Sequence, residues 1–345
     1  MNFLSFDVIL KIFFIQLGLI VYILFSIFAH RFALKVVFWH HLWIQKKFHQ
    51  LIKTALNHRK KIPKFSYWLL RLHKKQLIIA LEHIKQADPS ISLLELEPIF
   101  FDPFLKRFAN RLQNALFWKN RYWSIRAFRL FLNKDSISKI ILFLDDRKFI
   151  IKKIAAATAV EANNKNGIEK IINVISQPFL FGHLYFINVF LLESDEVFKT
   201  VLELCNEKKE LTFVNNALKI LALKKIKVPF SLLVPLLESE FTFFRMGVFE
   251  YLQKIPYHES LPYLIDALKE NEQDVVLAAI QAISKAEDGK KIDSSLIDLL
   301  KSPFLQIRIK SFEAIYARGA IHKKDFHDQP FYLDLIRYLD LFKKN

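Results

Sequence analysis

The sequence predicts an all-α chain: one membrane-spanning helix, a basic helical region, and a series of about seven short helical hairpins. Three observations predict it. An uncharged run of 18 residues lies near the N-terminus, glycine is scarce, and a pattern of small and large residues returns about every 31 positions. With 6 glycines in 345 residues there is little provision for the positive-φ turns of a β-rich fold, and 52% hydrophobic content excludes general disorder.

The first element is the run IFFIQLGLIVYILFSIFA, residues 12–29. About 20 apolar residues cross a hydrocarbon core, so residues 1–30 are expected to form a transmembrane anchor. A cleaved signal peptide is the competing reading. Against it, the run exceeds the usual apolar region of about 7–15 residues, MNFLSFD carries no positive charge, and phenylalanines crowd the cleavage point near Ala29. Only Asp7 and Lys11 precede the run, whereas Arg31, Lys35, Lys46, Lys47, Lys53, Arg59, Lys60, Lys61 and Lys64 follow it. The excess of positive charge after the run places the N-terminus outside and everything beyond residue 30 in the cytoplasm, as in a bacterial inner membrane. The lone cysteine, Cys205, permits no internal disulfide and agrees with a reducing compartment.

The second element, residues 31–102, is a basic juxtamembrane and N-capping region. Residues 30–134 hold 21 Lys/Arg against 5 Asp/Glu, while residues 135–345 hold 29 against 28, so the net charge of +17 is regional. Trp39 and Trp43 stand one helical turn apart, and with Lys46, Lys47, Arg59, Lys60 and Lys61 they are expected at the membrane interface, in a segment lying along an anionic lipid surface. Seven of the eleven histidines (His30, His40, His41, His49, His58, His73, His83) precede residue 84, but no two have the i, i+4 spacing of helical metal ligands. They read as polar or interfacial side chains, and no metal or other cofactor is expected. Residues 65–87 predict one further helix that caps the following array.

The third element, residues 103–320, repeats. A cation or apolar residue, then a small residue three positions on, a large one next to it and another three further on, recurs at Arg121, Lys153, Tyr185, Val214, Arg245, Val276 and Arg308, with spacings of 32, 32, 29, 31, 31 and 32. Apolar runs ending at Leu144, Ile175, Leu204, Leu237, Leu268 and Leu300 keep step, and both series shorten to 29 at the same place. Each unit is therefore a helix, a polar turn and an antiparallel second helix, stacked as an α-solenoid whose small residues allow close approach. The run FYLDLIRYLDLF, within a final segment of residues 321–345, predicts a capping helix over the last unit.

The units LIDALKENEQDVVLAAIQAI and SLIDLLKSPFLQIRIKSFEAI, and the arginine three before the small residue at Arg121, Arg245 and Arg308, resemble HEAT repeats, in particular the short HEAT-like repeats first associated with phycobilisome lyases. The resemblance covers about residues 103–318. The turn aspartate of such repeats is clear only at Asp146 and Asp274, and the arginine is replaced in four copies. Tetratricopeptide repeats, with a period of about 34, do not fit. The resemblance implies that the three arginines are structural and bond turns between units, and that the array binds a protein partner as a scaffold.

No phosphate-binding glycine loop, zinc-spaced Cys/His set or nucleophile elbow occurs, so no catalytic, cofactor or metal residue is assigned. Cys205 has no histidine among its immediate neighbours and reads as a core residue, and Asp145 with Asp146 as turn carboxylates. Some HEAT-like proteins resemble bilin lyases or alkylbase glycosylases, which keeps a lyase-type enzyme as one alternative. The other is nucleic-acid binding through FWKNRYWSIRAFR and the cations Arg107, Arg111, Lys119, Arg121, Arg126 and Arg129; anionic lipid is preferred for this region. Partner-binding candidates are the turn aromatics Phe179, Phe181, Phe241, Phe243 and Phe244, set against core packing.

Overall fold

The computed structural model describes residues 6–58, 63–88, 91–175, 180–285 and 290–319, together with 332, 335 and 336. All regular structure among these residues is helical. The chain forms two compact units, Met1–Lys139 and Ile140–Asn345.

The first unit begins with α1, Phe6–His58, a single helix of 53 residues. Its most apolar 18-residue stretch has a mean hydropathy of 2.1 and none of that stretch is buried, so the helix is long and apolar enough to cross a membrane. Every residue from Phe13 to Trp43 is exposed, after which Ile44, Phe48, Ile52 and Ala55 are buried along one stripe. Helices α2 (Lys64–Leu72) and α3 (Lys74–Ala87) follow. The buried stripe of α1 packs on α3, whose Leu77, Ile78, Leu81 and Ile84 face the core, and α3 also packs on α5 (Trp118–Leu130). The single helix expected over residues 65–87 is thus two. The chain leaves helical geometry at His73 (φ −111°, ψ 45°), whose imidazole is held 5.6 Å from that of His40.

A 3₁₀ turn (Leu93–Leu96) and a π-helix (Glu97–Leu105) lead into α4 (Lys106–Gln113), which pairs with α5 (Trp118–Leu130). Pro103 lies inside the π-helix, where its missing N–H interrupts regular α pairing. The close approach of α4 and α5 is fixed at the small position Ser124, whose buried hydroxyl donates to the Ala109 carbonyl at 2.7 Å.

Helix α6 (Lys134–Leu142) carries the chain into the second unit, which holds α7 (Phe149–Glu161), α8 (Lys165–Ile175), α9 (Leu180–Asn188), α10 (Asp195–Lys208), α11 (Leu211–Leu221), α12 (Val234–Leu237), α13 (Thr242–Leu252), α14 (Leu261–Ala267), α15 (Gln273–Ile283), α16 (Lys290–Leu299) and α17 (Leu305–Ala317). Each predicted second helix is a separate helix, and each packs on the next: α7 on α9, α9 on α11, α11 on α13, α13 on α15, α15 on α17. The first helices pair with them, α10 with α11, α12 with α13, α14 with α15 and α16 with α17. Small positions Ala156, Ala217, Val248, Ala279 and Ser311 are fully buried.

The α9 unit departs from the pattern. Leu192, the second large position of the repeat pattern that begins at Tyr185, is 98% exposed, because α9 stops at Asn188 and the chain turns through residues 189–192. Phe186 and Phe190 are buried there instead. Of the expected capping helix only Tyr332, Leu335 and Ile336 are described; the Tyr332 ring stacks on Phe312 of α17 with centroids 4.8 Å apart, and Ile336 is buried.

Candidate functional site

The three repeat arginines share one geometry. Nη1 of Arg121 donates to the carbonyls of Ala115 and Leu116 at 2.7 and 2.9 Å. Arg245 does the same to Ser239 and Glu240 at 2.6 and 3.1 Å, and Arg308 to Ser302 and Pro303 at 2.8 and 3.3 Å. In each case the acceptors lie six and five residues upstream, in the turn that precedes the arginine's own helix. The bonds therefore close the turn within a unit, by giving N–H donors to carbonyls of the turn itself, just beyond the end of the first helix. Arg245 also reaches the following unit, where Nη2 pairs with Glu270 at 2.6 Å.

Among the aromatic candidates, Phe241 is 69% exposed, Phe243 is exposed and Phe244 is half-buried. Their rings meet edge to face, Phe241 with Phe244 at 6.1 Å and Phe243 with Phe244 at 5.6 Å, and Lys219 Nζ lies 5.2 Å from the Phe243 centroid. Phe179 and the side chain of Phe181 lie outside the described residues. Three related positions were hidden in the same repeat. Phe117, Phe149 and Phe304 each stand four residues before the leading position of a unit, as Phe241 does, and all are exposed. Phe117, Phe241 and Phe304 are the N-cap residues of α5, α13 and α17, with extended backbone (ψ 122°, 116° and 119°) and no side-chain cap bond. The signal was the constant four-residue offset from the repeat pattern.

At the membrane-facing candidates, Trp39, Trp43, Lys46 and Lys47 are exposed on α1, while Arg59, Lys60 and Lys61 lie outside the described residues. α1 is unbroken through residues 30–58, so this segment continues the same helix as the preceding apolar stretch. His40 stacks beside Trp43 at 6.4 Å, and Gln76 Nε2 donates to His41 Nδ1 at 3.0 Å. Burial, and then the neighbouring His40 and His41, hold His73 below the ordinary histidine range. No group of three His, Cys, Asp or Glu side chains able to hold a metal occurs among the described residues.

Two cations of the nucleic-acid reading are engaged inside the first unit. Arg121 closes its turn, and Arg126 forms a bidentate pair with Glu82 (Nε to Oε1, 2.8 Å) while its guanidinium lies 4.5 Å from the Trp123 centroid and 5.2 Å from that of Tyr122. Arg107, Arg111, Lys119 and Arg129 are exposed. Cys205 is fully buried, and burial pushes its thiol up to about 12, so it holds its proton at neutral pH and acts as packing. Asp145 pairs with Lys170, and Asp146 Oδ1 accepts from the Lys148 amide at 2.8 Å, as turn carboxylates do.

No family model matches the chain, and no curated protein matches it. Among solved structures, the chain is similar to the crystal structure of an engineered protein, at 13% identity over 78% of each chain and a TM-score of 0.33.

Proposed function

We propose that the chain is a membrane-anchored scaffold of HEAT-like repeats, an α-solenoid held on the cytoplasmic side of a bacterial inner membrane by α1, and that it assembles or regulates a membrane-associated complex by binding a protein partner. The observation that carries this reading is the exposed phenylalanine at the helix start of three repeats of the second unit, Phe149, Phe241 and Phe304, the last two at the N-cap itself. A helix N-cap without a polar side chain forgoes about 1 kcal/mol of capping. Aromatic residues kept exposed at a recurrent position despite that cost fit contact with a partner, where such side chains supply much of the binding energy. Repeated helical hairpins suit this role, because each unit buries its core against its neighbours and leaves an extended face free. The cation excess of the first unit suits the anionic headgroups of the cytoplasmic leaflet, with basic residues near the surface each contributing about 1 kcal/mol.

Crosslinking of the full-length chain in native membranes tests the reading. A discrete protein adduct is expected, lost when Phe241 and Phe304 are both changed to serine and retained when Leu192 is changed instead. Recovery of the intact chain in the soluble fraction after carbonate extraction would remove the anchor, and an unchanged adduct in the double variant would remove the phenylalanine surface.

A further inference from the structure

Where α1 passes from full exposure to burial, its flank and α3 enclose a groove of about 440 Å³. Leu42, Lys46, His49 and Lys53 follow one another along this flank at i, i+4, i+7 and i+11, and His83 of α3 forms the opposite wall. Gln45 and Gln50 add amide groups, and among the described residues no carboxylate lines the space. Glu82, the residue before His83, is turned to Arg126 and so leaves the cations of the groove uncompensated. The volume is that of a small-ligand site, and the donors suit the oxygens of a phosphate.

The position is as informative as the chemistry. The side chains of α1 are exposed at every position from Phe13 to Trp43, so no other element covers its apolar stretch before the groove begins. Arg31 and Lys35 lie two turns and one turn before Trp39, near enough for their stems to carry the charges to the headgroup layer. Trp39 and Trp43 then sit at the cytoplasmic interface, and the groove opens directly after them. We infer that the groove is a binding site for the phosphate-bearing headgroup of an anionic phospholipid, with the acyl chains directed along the apolar surface of α1. This rests on the reading of α1 as the membrane span.

The test uses full-length protein reconstituted in phosphatidylcholine nanodiscs doped with phosphatidylglycerol and analysed by native mass spectrometry of retained lipid. One saturable phosphatidylglycerol is expected. Lys46→Glu weakens its retention by about tenfold, whereas Lys47→Glu, the adjacent residue with the same change of charge but outside the groove, weakens it by about twofold. His83→Ala, on the other wall, weakens it several-fold with α1 unaltered. Equal losses for Lys46→Glu and Lys47→Glu would show diffuse charge attraction and overturn the site. Displacement of the lipid by inorganic phosphate at equal concentration would make it a site for a soluble anion and overturn the lipid assignment. If carbonate extracts the protein from the bilayer, the span falls and the groove with it; a protein that stays in the bilayer yet shows no groove-dependent retention removes the groove alone.

Discussion

In the first unit Arg126 lies over two aromatic rings and pairs with Glu82, Lys75 lies 5.6 Å from the Trp123 centroid, and Lys74 lies 5.5 Å from that of Phe108. In the second unit the second helices meet through Ala217, Gly247 and Ala279. Both use an arginine to close the turn before a second helix, at Arg121 and at Arg245 and Arg308. Both also set cations over rings, as Lys153 over Tyr185 at 4.5 Å in the second unit, and both use small residues at helix contacts, as Ser124 in the first; what differs is the balance of charge, since cations far outnumber carboxylates in residues 30–134 and nearly equal them in residues 135–345. The difference teaches that net charge overstates what the basic region offers to a ligand, because part of it is spent on internal contacts. It also separates the two in their response to salt, which weakens charge contacts and spares packing.

The largest effect is expected from Gly247→Ala. A Cβ there would come within 1.9 Å of Asn215 Oδ1, on a buried side chain of α11. Urea denaturation of the detergent-solubilised protein should show a loss of about 2–3 kcal/mol, insensitive to salt, and most of it should return in the double variant with Asn215→Ala. Next is Glu82→Gln, which leaves the part-buried Arg126 guanidinium without its carboxylate and should cost about 1–2 kcal/mol. Added salt should narrow that gap between wild type and variant, and a gap unchanged by salt would undo the contrast between the units.

An effect of the same order, about 1–2 kcal/mol, is expected from Arg245→Ala, which loses two carbonyl bonds and the Glu270 pair. Arg308→Ala should cost less, since among the described residues it loses two carbonyl bonds and no ion pair, and thermal unfolding of both variants side by side would rank them. The smallest effect belongs to Leu192→Ser, within about 0.5 kcal/mol, since that side chain has left the core. A loss of 2 kcal/mol or more, on the order expected for a buried leucine, would restore Leu192 to the place its repeat position suggested.

The helix register of the second unit was legible in sequence because each hairpin buries the same face against the same kind of neighbour, so Ala279, Ile280 and Ile283 recur in equivalent chemistry at Ser311, Phe312 and Ile315. The α9 unit was misread where the pattern was extended across Leu192, although the shortened spacing of 29 marked that place as irregular. The break at His73 carries no glycine or proline. His73 there lies beside His40, 33 positions earlier, and local sequence does not encode such a contact. The groove was invisible for the same reason: Lys46 and Lys53 were read only as charges near a membrane, and His83 joins them through the packing of α3 on α1. The exposed N-cap phenylalanines were present in the repeat all along, at an offset that a search for core positions passes over.

The unbroken course of α1 gives the first unit a compass bearing as well as a height. A helix turns about 100° per residue, so one residue inserted between Ala29 and Ile44 would swing the α3 side around the rod by that angle while lifting it only about 1.5 Å. Length in this stretch is therefore an angular setting, and evolution could aim the basic face toward a new neighbour by a single insertion without altering one packed contact.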